Sequence, residues 1–153
     1  MELTYYTDFA LRVLLYAGSQ DGRRVSISEV AQAYGISQDH LRKVVHRLAQ
    51  HGYLETTQGR NGGLRLSCAA SSIRLGDVVR LMEESLELID CNRGPCPLCG
   101  NCELKRALNG ALGEFMGYLD GVTLEQLLAD PGTKHQLQHL PLAEQTRSSR
   151  LKS

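Results

Sequence analysis

The 153-residue chain has no excess of charge, since 17 Lys and Arg residues face 17 Asp and Glu residues, and its mean charge therefore assigns it no polyanionic partner. It has no apolar run near the roughly 20 residues needed to cross a bilayer, and its amino-terminal stretch lacks the continuous apolar segment of a secretory signal. A cytoplasmic protein with no membrane partner is expected. It also lacks a paired nucleophile and base, a Walker phosphate loop and a dinucleotide fingerprint, and its five histidines show no catalytic arrangement. No enzyme is expected.

What is present is unevenly placed. Residues 1–66 carry a net charge of +2, residues 67–130 carry −5 and residues 131–153 carry +3. A mildly cationic first half able to meet a polyanion is thus joined to an acidic second half with another task. Apolar residues make up 42% of the chain, enough for one compact domain or a small domain with an appended arm. The cysteines number five, and four of them fall between Cys91 and Cys102. An odd, clustered set argues against a disulfide framework and for a metal or redox site in a reducing compartment.

From about Thr4 to Ala17, Tyr6, Phe9, Ala10, Val13, Leu14 and Ala17 recur at helical spacing, with Gly18 as the expected stop. Ser26-Ile27-Ser28-Glu29 has the spacing of a capping box and opens a short helix to Tyr34. Gly35 supplies the left-handed residue that ends it, Ile36 plugs the turn, and Ser37 or Asp39 starts another helix that buries Leu41, Val44, Val45 and Leu48. Helix, glycine turn, helix is the pattern of a helix-turn-helix. The outer surface of its second helix holds Asp39, His40, Arg42, Lys43, His46 and Arg47. Tyr53–Thr57 and Leu64–Leu66 read as short strands around the Gly-rich turn Gln58–Gly63, which is the sequence form of a wing.

A helix of this kind enters the major groove and presents donors to base edges, while a wing follows phosphates or probes the minor groove. The candidate DNA-binding residues are Ser37, Gln38, Asp39, His40, Arg42, Lys43 and Arg47 on the helix, and Gln58, Arg60 and Asn61 on the wing. Farther on, Ile73–Glu84 reads as a helix and Leu86–Ile89 as a short extended segment. About Asn101 to Asp120 reads as a longer helix with a seam of Leu104, Leu108, Ala111, Leu112, Phe115 and Leu119. The seam suits the core, a two-fold partner, or both. Thr123–Gln126 has another capping-box spacing, and Pro131-Gly132 is expected to end the regular pattern.

The cysteine segment runs Cys91-x4-Cys96-x2-Cys99-x2-Cys102, bent by Gly94, Pro95, Pro97 and Gly100. A structural zinc site, a dithiol switch and an iron–sulfur cluster all use such thiols. Zinc usually draws its thiolates as two separated pairs, whereas closely serial thiolates wrap one cluster, so the spacing leans toward iron. Cys68 stands alone and is expected to be a small buried residue. The fold expected is mainly α with a small β wing: a winged helix-turn-helix DNA-binding domain over 1–70, a cysteine-rich loop and long dimerisation helix over 71–130, and a disordered tail over 131–153.

The opening Met1–Arg12, the turn Gly59–Gly63, the stretch Ile73–Val79 and the cysteine loop together resemble the Rrf-type winged-helix regulators, and among them the nitric-oxide-sensitive repressors. The likeness spans about residues 1–130; regulators of the same family that report iron–sulfur cluster supply are the nearest alternative. The resemblance implies a homodimer on a double-stranded DNA operator, with one iron–sulfur cluster per protomer, 4Fe-4S in preference to 2Fe-2S. It implies thiolate ligation of iron by Cys91, Cys96 and Cys102, with Asp8 of the other protomer as fourth ligand. Cluster-supply regulators place a histidine shortly after the third cysteine, where this chain has Lys105 and Arg106. Two departures stand out: Cys99 is an additional candidate ligand, and Gln58 occupies a position where relatives often carry arginine, with Arg60 as its substitute. The implied mechanism is a clasp between protomers that nitric oxide opens at the iron held by Asp8, releasing DNA. In it, Arg12 is expected to pair with Glu83 or Glu84.

Overall fold

The computed structural model describes residues 2–140. In chain order it holds α1 (Tyr5–Ser19), α2 (Ile27–Tyr34), α3 (Gln38–Gln50), β1 (Leu54–Thr57), β2 (Gly63–Leu66), a 3-10 turn (Ala70–Ser72), α4 (Leu75–Met82), α5 (Glu103–Asp120), α6 (Leu124–Leu128) and α7 (Pro131–Gln138). This is the mainly helical fold with a small two-stranded wing that the sequence predicts. No described helix is long and apolar enough to cross a membrane.

Helix α1 is the hub. Its apolar stripe of Ala10, Val13, Leu14 and Ala17 is buried, and it packs against α3, α4, α6, α7 and β2. Gly18 does not stop it. A Cβ at that position would lie 2.6 Å from Leu128 Cδ1, so the missing side chain admits α6, and α1 runs one residue farther to Ser19. Ser19 is itself buried and turns its hydroxyl back to the Tyr16 carbonyl at 2.8 Å, the local bond a buried serine makes in place of water.

Ser26 caps α2 by accepting from the Glu29 amide at 3.0 Å. The second half of the expected capping box does not form, because Glu29 instead accepts from Tyr16 Oη at 3.0 Å and from Arg23 Nη2 at 2.5 Å. Arg23 lowers the Glu29 carboxyl below its ordinary range by hydrogen bonding, against the opposing effect of burial. Gly35 ends α2 at φ 66°, Ser37 caps α3, and α3 buries Leu41, Val44, Val45 and Leu48 against the core. The strands pair antiparallel with Leu54 opposite Leu66 and Thr56 opposite Leu64. Val25, just before α2, exchanges both backbone hydrogen bonds with Leu64 at 2.9 and 2.8 Å and so fixes the wing to the helix-turn-helix.

Beyond the wing, α4 is shorter than Ile73–Glu84, and Leu86–Ile89 is irregular rather than an extended strand. The capping box at Thr123 forms in full, with Gln126 N donating to Thr123 Oγ1 at 3.3 Å and Thr123 N to Gln126 Oε1 at 2.9 Å. Pro131 opens a helix instead of ending the pattern. Asp130 caps α7 by accepting from Thr133 N at 2.7 Å, and proline at the first helical position costs no hydrogen bond. The disordered tail expected from residue 131 is therefore corrected for 131–138, where α7 packs on α1 and buries Leu137; its remainder over 141–153 lies outside the described residues.

Candidate nucleic-acid interface and cysteine loop

Helix α3 turns its apolar side inward and leaves Gln38, Asp39, His40, Arg42, Lys43, His46 and Arg47 exposed. This polar surface has two flanks. On one, Arg42 and His46 line a groove of about 440 Å³ together with Ser26, Thr56, Thr57, Gln58 and Gly59. On the other, Lys43 and Arg47 line a cleft of about 470 Å³ with Thr4, Tyr6 and residues 82–85. The exposed polar residues of α3 and of the adjacent wing tip form an arrangement suited to a helix in the major groove with a hairpin beside it.

The candidate residues at the head of α3 are partly engaged with one another. Ser37 Oγ accepts from Asp39 N at 3.3 Å as the helix cap. Arg42 Nη1 donates to Asp39 Oδ1 at 2.6 Å and its Nη2 to Gln38 Oε1 at 3.4 Å, while Gln38 Nε2 reaches Ser28 Oγ at 3.4 Å. His40 stands apart from them, with its ring 6.3 Å from that of Phe9 on α1. Gln58, Arg60 and Asn61 project at the exposed wing tip. The tip turns tightly: Gly62 N donates to Gly59 O at 3.0 Å, and a Cβ on Gly62 would fall 2.2 Å from Thr57 O, so only glycine fits there. Ser26, His46, Thr56 and Thr57 belong to the groove but were not among the candidates. The threonine pair ending β1 is the signal that was available in the sequence. On the strands, the Glu55 carboxylate bridges Arg24 and Arg65, and hydrogen bonds from these two guanidiniums lower its pKa.

The cysteine loop leaves α4 at Glu83 and returns at α5. Asp90 accepts from Asn92 N at 2.9 Å and pairs with Arg93 at 3.2 Å. Cys99 N donates to Cys96 O at 3.1 Å, and Asn101 N to Leu98 O at 3.3 Å. Cys102 is the cap of α5, its Sγ accepting from Lys105 N at 3.4 Å. Cys96 and Cys99 are exposed and Cys91 and Cys102 half-buried, and all four carry free thiols. Cys68, expected to be buried, is half-buried against the core. Four free thiols on a twelve-residue loop are a donor set that suits iron or zinc. Among the described residues, however, no three His, Cys, Asp or Glu side chains converge within one chain.

Asp8 lies half-exposed on α1 and is paired with Arg12. Arg12 does not reach Glu83 or Glu84. Its guanidinium sits 5.5 Å from the Tyr34 ring centroid, and burial pushes the Tyr34 hydroxyl up to about 12. Glu83 is occupied otherwise: its Oε1 accepts from Thr4 N at 2.8 Å, from Thr4 Oγ1 at 3.1 Å and from Thr7 Oγ1. Helix α5 buries only Met116. Leu104 (57%) and Tyr118 (75%) are largely exposed, and the rest of its leucine seam is half-buried or exposed.

Residues 3–130 match the model of the family Rrf2, described as iron-dependent transcriptional regulators. The chain belongs to the Rrf2 family. It is a transcriptional regulator with a DNA-binding winged helix, and not an enzyme. Among solved Rrf2-fold structures it is similar to CymR of B. subtilis, a global cysteine regulator, at 19% identity over 84% of this chain and 97% of that one, with a TM-score of 0.70. It is similar also to IscR of T. potens, at 20% identity over 85% and 88% of the two chains and a TM-score of 0.67. The oxidized form of Staphylococcus aureus CymR matches at 23% identity over 83% and 95%, with a TM-score of 0.67. At these identities the likeness concerns the fold.

Proposed function

We propose that this Rrf2 regulator is a cytoplasmic homodimeric repressor of the NsrR type, whose DNA binding depends on an iron–sulfur cluster and is relieved by nitric oxide. The observation that carries the reading is the set of free thiols on an accessible loop whose last member caps α5, the helix with the exposed apolar surface. Cys91, Cys96 and Cys102 would hold the cluster, with Asp8 of the partner subunit as fourth ligand and Cys99 as the alternative. A 4Fe-4S form is preferred to 2Fe-2S. When bound, the cluster would supply iron open to a small neutral ligand such as nitric oxide.

The chain's own residues do the rest. A carboxylate grips iron less firmly than a thiolate, so Asp8 is the corner that yields. Leu104 and Tyr118 of α5 meet the same helix of the partner and set the distance between the two α3 helices. The Asp8 contact then joins the reading half, over 1–70, to the partner's loop and dimer half, over 71–130. Half-sites on DNA repeat with the helical turn, and a change in the spacing of the α3 helices lowers specific affinity. A coupling of about 1 to 3 kcal/mol amounts to roughly 5- to 150-fold.

Anaerobic purification with iron, acid-labile sulfide and zinc analysis, followed by DNA binding before and after nitric oxide, tests the reading. Iron and sulfide in equal amounts with nitric-oxide-sensitive binding support it. Zinc without sulfide turns the chain into a zinc-stabilised factor. Cluster content with no response to nitric oxide favours a reporter of cluster supply.

A further inference from the structure

We propose that His135 and His139 form a two-imidazole site for a borderline divalent transition ion such as Zn²⁺, Ni²⁺ or Cu²⁺, separate from the cysteine loop. The two residues stand at i and i+4 on α7, one above the other on a single side of the helix. Their rings are stacked with centroids 4.2 Å apart and planes within 22°, and both side chains are exposed.

One hydrogen bond prepares the site. His139 Nδ1 lies 2.8 Å from the His135 carbonyl oxygen. A carbonyl oxygen only accepts, so Nδ1 carries the proton and the neutral ring keeps its lone pair on Nε2. A ligating histidine has this arrangement, its second nitrogen held by a carbonyl and its ring oriented.

The helix beneath the pair is anchored. Leu137 is buried, Gln138 Nε2 donates to Ser19 O at 2.7 Å, and Lys134 Nζ pairs with Asp21 at 2.7 Å. The rings thus stand on a fixed element, and the neighbouring lysine is already neutralised by a carboxylate. Among the described residues no third His, Cys, Asp or Glu joins them, so these residues offer a two-donor chelate with its remaining positions open, rather than a closed structural centre. Imidazole donors select these ions over Mg²⁺ and Ca²⁺, which take oxygen ligands. His51 is an internal comparison: its Nδ1 lies 2.9 Å from Arg47 O, the same restraint, but arginine stands where a second imidazole would be.

The test follows the imidazole ¹H–¹⁵N signals of the full-length protein during a Zn²⁺ titration carried past the equivalents taken up by the cysteine thiols. His135 and His139 are expected to move together on one curve, at a Zn²⁺ concentration about 100-fold below that which moves His51, because the second donor stands one turn away on the same side of the helix and reaches a shared ion by rotation of its ring. His139→Ala should send the His135 response into the His51 range, and His135→Ala should do the same at His139. Movement of His135 and His139 in the His51 range, or an unchanged His135 response in the folded His139→Ala protein, overturns the proposal.

Discussion

Arg12 Nε lies 2.9 Å from Asp8 Oδ1, one turn back along α1, and both side chains are a little over two-fifths exposed. A half-exposed ion pair of this kind contributes about 0 to 1 kcal/mol. Asp8 is therefore oriented by Arg12 but can exchange it for another cation at small cost. Asp8→Ala is expected to leave the fold intact and retain part of the cluster while altering the rate of its reaction with nitric oxide, read by visible absorption in stopped flow. A rate identical to that of the parent protein would eliminate the clasp between protomers.

Cys91→Ala, Cys96→Ala and Cys102→Ala should each give a colourless protein whose specific DNA affinity falls roughly 5- to 150-fold, whereas Cys99→Ala should keep its colour. Iron and sulfide content with mobility-shift titration checks this. Any one of the three that retains a full cluster and full binding leaves the ligand set, and a colourless Cys99→Ala brings Cys99 into it.

Arg60 projects from the exposed wing tip with a turn of glycines on either side. Arg60→Ala should weaken binding to operator and unrelated DNA alike, and lower the slope of log affinity against log salt by about 1. A loss confined to the operator would show instead that Arg60 reads bases.

The helix-turn-helix was legible because its devices are local: Ser26, Gly35 and Ser37 act on the backbone within four residues, and the α3 stripe repeats at helical spacing. Local rules misled where distant residues compete. Glu29 meets Tyr16 and Arg23 instead of its own cap, and Gly18 yields to Leu128 of α6. The expected partners of Arg12 failed for the same reason, since Thr4 and Thr7 engage Glu83. The ligand set proposed for the cysteine loop lies beyond local rules altogether, because among the described residues no three-ligand group forms within one chain.

Stability should follow the titration of Glu29. Hydrogen bonding from Arg23 lowers its folded pKa, so the stabilisation is fully present above the unfolded value near 4.3 and is lost as pH falls through the lower folded value. Glu29→Gln should lower Tm at pH 7 and narrow its difference from the parent protein below about pH 4, as thermal unfolding across a pH series would show. A difference that stays constant with pH would assign the loss to packing instead of charge.

The Tyr118 ring is three-quarters exposed on α5, and Tyr118→Asp should shift sedimentation toward the monomer and weaken operator binding in parallel. A dimer that persists unchanged would place the two-fold contact on another surface.

The position of α1 bears on how this chain can be cut. It packs not only against α3 and β2 but also against α4, α6 and α7. A polypeptide halted at residue 70 would carry every residue proposed to contact DNA, yet it would bare part of its central helix to water. Such an excised reading head should clump or melt, and the separation into two working parts is one of labour rather than of independent folding units.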